Sequence, residues 1–270
     1  MNIKNKCLIL TCFVIFGVTT QAQNADSTIA MRFSLPKGYV RKVYAENSFQ
    51  RFLQNFPLKP ADSKVLYYNG QEKSRKIHVA VLDIDVGDRD LQQCADAVMR
   101  LRAEYLFKQK KYSEIHFNLT NGFTVNYLRW ADGERVNVSG NKTWWVKSAQ
   151  KDYSYRNFKK YLFFVFYYAG TLSLSKELQT IKYADLQVGD VFIRGGSPGH
   201  AMIVVDVAEN AQGKKIFLLA QSYMPAQNIH IVKNLHNPAI SPYYELDATD
   251  NLLLTPEWTF RTTELKRFKN

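Results

Sequence analysis

Gly189-Asp190-Val191-Phe192-Ile193-Arg194-Gly195-Gly196-Ser197-Pro198-Gly199-His200-Ala201-Met202-Ile203-Val204-Val205 is the stretch that decides the fold. Val188-Gly189-Asp190 reads as a turn into a short apolar strand at 191–193, and the Gly-Gly-Ser-Pro-Gly loop then delivers His200 to the first position of a second one. The run 201–205 is continuously apolar and reads as a buried-type strand that His200 opens. A third strand at 216–221 returns after the turn Glu209-Asn210-Ala211-Gln212-Gly213. A hairpin centred between residues 210 and 211 sets Gln221 opposite His200, and a centre on Ala211 sets Ser222 there. Either residue brings a hydrogen-bonding side chain to the imidazole, which is what orients a catalytic base.

Working upstream, the apolar positions Leu91, Cys94, Ala95, Val98, Leu101, Tyr105 and Leu106 recur at steps of three and four, the mark of an amphipathic helix over about 90–110. Cys94 falls in its first or second turn on the inward face. A helix start offers unpaired N–H groups and a positive dipole end, which favour a thiolate and can donate to an oxyanion. Burial would make the same cysteine inert, and Asp88, Asp90 and Asp96 would oppose ionisation unless turned away. Asp88 and Asp90 also read as helix-capping acids.

Between Cys94 and His200 the chain makes an excursion at 111–180. It is expected to carry strands around the turns Asn121-Gly122 and Asp132-Gly133, a strand through 125–128 and another at Trp144-Trp145, then an aromatic helix over 155–169. Trp130, Trp144 and Trp145 are candidate substrate contacts, although aromatics at strand spacing also fill cores. Gln93, beside the thiol, is a fourth. Upstream, Ser48 caps a short helix ending before Pro57, and Asn69-Gly70 is expected to join 65–68 to a strand at 79–82 as a hairpin. Residues 23–82 thus read as an N-terminal extension to a domain at 83–270.

The first residues look like a secretion signal: Lys4 and Lys6 precede an apolar run at 7–18, and Thr20-Gln21-Ala22 suits a peptidase. Cleavage near Ala22 removes Cys7 and Cys12 and leaves Cys94 as an odd thiol in an exported chain. About 248 residues would remain, enough for one large domain or one domain with an appendage. The charge of +12 falls to about +10 without Lys4 and Lys6, which favours an anionic cell-envelope polymer as partner and, outside the cell, argues against nucleic acid. No later run is long enough to span a membrane.

Asp83-Ile84-Asp85-Val86-Gly87-Asp88 places its glycine too early for a calcium loop and no Glu closes it, so neither metal nor cofactor is expected. His230 is the second candidate for the base, while His78, His116 and His236 stand in no polar constellation.

The order of Cys94 at a helix start, Gly189-Asp190 before a strand, Pro198-Gly199-His200-Ala201 opening the next and a polar residue on its neighbour resembles the papain-like cell-wall peptidases of the NlpC type. Gln93-Cys94-Ala95-Asp96-Ala97, the loop 195–200 and Ala220-Gln221-Ser222-Tyr223-Met224-Pro225-Ala226-Gln227 are more closely similar to a functionally uncharacterised family of exported proteins from Bacteroidetes. The first resemblance implies an α+β, papain-like fold with an antiparallel sheet, Cys94 as nucleophile, His200 as general base and Gln221 as the orienting third residue, acting on a peptidoglycan peptide. Here Gln93 precedes the cysteine and Ala95 follows it, where those peptidases carry Asp or Asn and then Ser-Gly, so their recognition of the substrate amine does not transfer. Amide hydrolysis in the periplasm or beyond is the expectation. A non-catalytic binding protein on the same fold and an acyltransferase are the alternatives.

Overall fold

The computed structural model describes residues 28–247 and 249–269; the expected signal at 1–22 lies outside the described residues. The chain runs α1 (Ile29–Arg32), β1 (Tyr39–Arg41), α2 (Phe49–Gln54), β2 (His78–Val81) and α3 (Cys94–Lys108). The excursion follows: β3 (His116–Asn118), β4 (Thr124–Asn126), α4 (Tyr127–Ala131), β5 (Glu134–Ser139), β6 (Lys142–Lys147), α5 (Tyr155–Tyr168) and α6 (Thr171–Glu177). Then come β7 (Gln179–Thr180), β8 (Val191–Arg194), β9 (His200–Asn210), β10 (Lys215–Gln221), β11 (His230–Val232), β12 (Tyr244–Glu245), β13 (Leu252–Leu254), β14 (Thr259–Arg261) and β15 (Leu265–Arg267).

The architecture is mixed α+β around one antiparallel sheet in the order β2-β11-β10-β9-β8-β15-β7, with β1 added to β9 and β12 to β10. Every position of β9 from His200 to Ala208 is buried, because α3 packs against the strand and the β13–β14 hairpin brings Phe260 against Phe192 and His200. Covering both faces removes any reason for polar alternation, as the unbroken apolar run requires. Phe192 and Phe217 stack with centroids 5.9 Å apart, both fully buried, and each contributes about 1.5–3 kcal/mol of burial.

Residues 28–82 are not an appendage. β8 covers β9 only from His200 to Ile203, and β1 pairs with Ala208–Asn210 farther along the strand. An unpaired edge beside a buried strand is costly, and the N-terminal residues fill it. β2 likewise pairs with β11, so the expected hairpin between 65–68 and 79–82 does not form. The Asn69-Gly70 turn instead closes a small loop in which Tyr67 N–H donates to Gln71 and Lys73 N–H to Val65.

The excursion holds two hairpins, β3–β4 and β5–β6, but three helices as well. Tyr127 and Leu128 begin α4 where strand was expected, because the Asn126 side chain accepts the Arg129 N–H at 3.3 Å as a cap. No helix among the described residues is long and apolar enough to cross a membrane.

Arg100 is the most demanding buried group of α3. It has no exposed surface and donates to Glu104 at 2.7 Å, Gln92 Oε1 at 2.8 Å, Asp85 at 3.1 Å and the Tyr155 hydroxyl at 3.1 Å. The acidic run at 83–88 thus has a structural use: Asp85 meets Arg100 and, through its other oxygen, Lys159 at 2.5 Å.

Candidate active site

Cys94 is the first residue of α3, and the helix begins there instead of near Asp90. Gln93 is the N-cap residue, its N–H donating to Asp96 Oδ2 at 3.0 Å. The residues ahead of it are stitched to the loop 222–227. Asp90 accepts the Ala226 N–H at 2.6 Å and Gln93 Nε2 at 3.1 Å. Ser222 Oγ lies 2.8 Å from the carbonyl oxygens of Gln92 and Gln227, either of which takes its proton. Ser222 therefore fixes the helix start and does not face the imidazole. Cys94 is 9% exposed, and the backbone N–H groups of Ala201, Ala95 and Cys94 itself favour its thiolate; Ala201 directly follows His200.

His200 and Cys94 line one cavity of about 550 Å³, walled further by Tyr167, Thr171, Met224 and Trp258. His200 Nε2 lies 2.8 Å from Gln221 Oε1, but Gln221 is not directly opposite. Phe217 pairs with Val207, a bulge follows between Leu218 and Leu219, and Ala220 pairs with Ile203. Continuing one step sets Gln221 against Met202, two residues from His200 on the same face, a diagonal that long side chains span. Both expected centres were too early, because the turn extends to Gly213 at φ +77°, with Gly213 N–H donating to Asn210.

The glycine loop shapes the mouth. A Cβ on Gly199 would stand 2.4 Å from the Gly196 carbonyl oxygen and 2.5 Å from Thr171 Oγ1, closer than any side chain tolerates. Thr171, at the start of α6, donates to that same carbonyl at 3.1 Å.

Burial pushes the Cys94 thiol up to about 11, reinforced by Asp96 and opposed by the three N–H groups. It pushes His200 down to about 4, against the Gln221 hydrogen bond. The resting pair is a neutral thiol and a neutral imidazole, and the helix start does not lower the thiol as a nucleophile at such a position requires. Carboxymethylation of Cys94 by iodoacetate should accordingly speed up with pH through a midpoint above the free-thiol value of about 8.5. A midpoint below 8.5 would mean that His200 is held as the imidazolium. Asp96 is pushed well above the ordinary carboxylate range by burial, and its Oδ1 has no partner among the described residues.

Behind Gln221 lies a buried polar network. Gln221 Nε2 donates to Glu257 Oε2 at 2.7 Å, and Lys73 Nζ meets Glu257 Oε1 at 2.8 Å. His230, the second candidate for the base, sits 3.4 Å from Gln221 Nε2, with Nδ1 2.9 Å from the Asn228 carbonyl oxygen. It is fully buried and does not line the cavity.

The three candidate tryptophans lie away from the cavity of Cys94 and His200. Trp130 is 6% exposed, donates to Asn157 at 3.1 Å and packs on Tyr161 and Phe164. Trp144 and Trp145 lie on β6 in the β5–β6 hairpin, Trp144 43% exposed and Trp145 beneath Arg129. None of the three lines the cavity; Trp258 does, 5.4 Å from the His200 ring. Of the four proposed contacts only Gln93 is in the wall. Asp190, next to Gly189, is absorbed structurally by Arg267 at 2.6 and 3.0 Å. Trp258, Glu257 and Lys73 carry no site signal in the sequence: Glu257 and Trp258 follow Pro256 in a short turn, and Lys73 stands in a basic stretch.

No curated protein and no solved structure matches the chain. Residues 29–267 match the family described as Domain of unknown function (4846), and the chain belongs to that family.

Proposed function

We propose that this protein is an exported, thiol-dependent amide hydrolase on a papain-like, NlpC-type fold, with cell-wall peptides as its substrate class. One observation carries the reading: Cys94, at a helix start, and His200 line the same cavity, with His200 Nε2 engaged by Gln221. The positive charge of the chain suits an anionic cell-wall polymer.

In this mechanism the Cys94 S–H proton passes to His200 Nδ1 as sulfur bonds to the substrate carbonyl carbon. N–H groups at the helix start stabilise the oxyanion. His200 returns the proton to the leaving nitrogen and the C–N bond breaks, leaving a thioester. Water then attacks that thioester, giving one proton to Nδ1; the S–C bond breaks and sulfur recovers the proton. A cavity that raises the thiol and lowers the imidazole makes proton transfer part of the attack, with His200 as a true general base.

The depth at which both groups are buried favours a second reading, a binding protein of the same fold in which Cys94 is core. Incubation of residues 23–270 with peptidoglycan and its muropeptides separates the two. Release of soluble fragments with new amino groups, absent for Cys94→Ala, is the expected result. Equal binding by both proteins with no cleavage would overturn the hydrolase in favour of the binder, and release only when an amine acceptor is added would make it an acyltransferase. Neither binding nor cleavage would remove the cell wall as substrate.

A further inference from the structure

We propose that the buried Glu257–Lys73 ion pair decides which nitrogen of His200 carries the proton, making Glu257 a positioning residue. Its consequence for catalysis rests on the hydrolase reading; the protonation pattern itself does not.

A glutamine side chain has nearly the same shape when its oxygen and nitrogen are exchanged, so Gln221 alone can present either a carbonyl or an amino group to His200. With the carbonyl toward the ring, His200 must donate from Nε2, and Nδ1 keeps the lone pair that a base needs. With the amino group toward the ring, Nε2 becomes the acceptor, the proton moves to Nδ1, and the base is lost.

Three groups behind the amide settle the choice. Glu257 is an acceptor, its Oε2 2.7 Å from the Gln221 nitrogen. His230 is a second acceptor: its Nδ1 lies 2.9 Å from the Asn228 carbonyl oxygen and must donate there, which leaves Nε2 with a lone pair 3.4 Å from the same nitrogen. Reversing the amide would turn its carbonyl oxygen toward both acceptors, a buried repulsion in which the hydrogen bond to Glu257 is lost and the amino group keeps a partner only in His200. Lys73, on the other oxygen of Glu257 at 2.8 Å, completes the carboxylate; its side chain is 5% exposed and that of Glu257 9%. An ion pair so enclosed gains little net stability, which directs attention to the orientation it imposes.

The test is the tautomer of His200, read from long-range ¹H–¹⁵N correlation spectra of protein labelled at its five histidines, with the His200 signals identified by their absence in His200→Asn. At pH 7 the ring is neutral, since burial holds its pKa near 4. Wild type is expected to show His200 protonated on Nε2. Glu257→Gln, whose amide can face Gln221 either way, should raise the Nδ1–H fraction by about tenfold or more, and Glu257→Asp should restore the wild-type pattern. The pair replacement Lys73→Met with Glu257→Leu, which leaves no buried charge unpaired, should shift the tautomer in the same direction and serves if Glu257→Gln does not fold. An unchanged Nε2–H tautomer in either folded variant overturns the proposal. A shifted tautomer with no hydrolysis by wild type would leave this inference standing and remove the hydrolase; hydrolysis with an unmoved tautomer would do the reverse.

Discussion

His200→Ala is expected to lower kcat/KM for fragment release by about three to four orders of magnitude, and Cys94→Ala by at least as much. The two act on one proton and one bond, so the double variant should be no worse than the poorer single one. Gln221→Ala removes the acceptor 2.8 Å from Nε2 but leaves thiol and ring in place, and about ten- to a hundredfold is expected of it. Far-ultraviolet circular dichroism on each variant separates lost chemistry from lost fold. A folded His200→Ala within tenfold of wild type would remove His200 from the mechanism, whatever the wild-type rate.

Arg100→Met should cost about 3–5 kcal/mol of unfolding free energy, a large part of the 5–15 kcal/mol that holds a domain together. Methionine keeps the packing of the stem, so the loss comes from the charges and donors left behind. Glu104, 15% exposed in its side chain, loses its cation, and Gln92 Oε1 loses its donor while Gln92 Nε2 already has no partner among the described residues. Urea titration at pH 7 would read this as a lower midpoint with an unchanged slope; a shift worth less than about 1 kcal/mol would mean that the cluster relaxes at no cost. The damage should reach the cavity, since Gln92 hands its backbone carbonyl to Ser222 just ahead of Cys94.

The centre of this molecule was legible because its signals are local. The unbroken run after His200 announced a strand, the three- and four-residue spacing from Leu91 announced α3, and Ser48 announced its cap, where its side chain accepts the Arg51 N–H at 3.1 Å. Errors arose where a distant partner overrides local pattern. β2 carries a good strand sequence beside a good turn, but the edge it pairs with belongs to β11. The register of Gln221 depended on where the turn ends and on a bulge at Leu218/Leu219, neither of which has a fixed residue signature. Strand-spaced tryptophans on the excursion suit either a substrate contact or a core, and for Trp130 the choice is made by Arg135 and Asn157, which cover and bind it. Glu257 and Lys73 carry no such signal, since a lone acid after a proline and a lysine in the scattered basic stretch 73–76 read as ordinary surface until the fold buries them together.

Lys73 and Glu257 are 184 positions apart, and that separation gives the protein an order of assembly. A growing chain that has emerged as far as residue 221 already contains Cys94, His200 and Gln221, but not Glu257 and not β14 or β15, which supply Phe260 beside the ring and the strand that pairs with β8. Contacts this remote in sequence close late and slowly. The wall and the hydrogen-bond partners around the imidazole are therefore completed only by residues after 221, and a chain cut short there is expected to hold Cys94, His200 and Gln221 without the groups that enclose them.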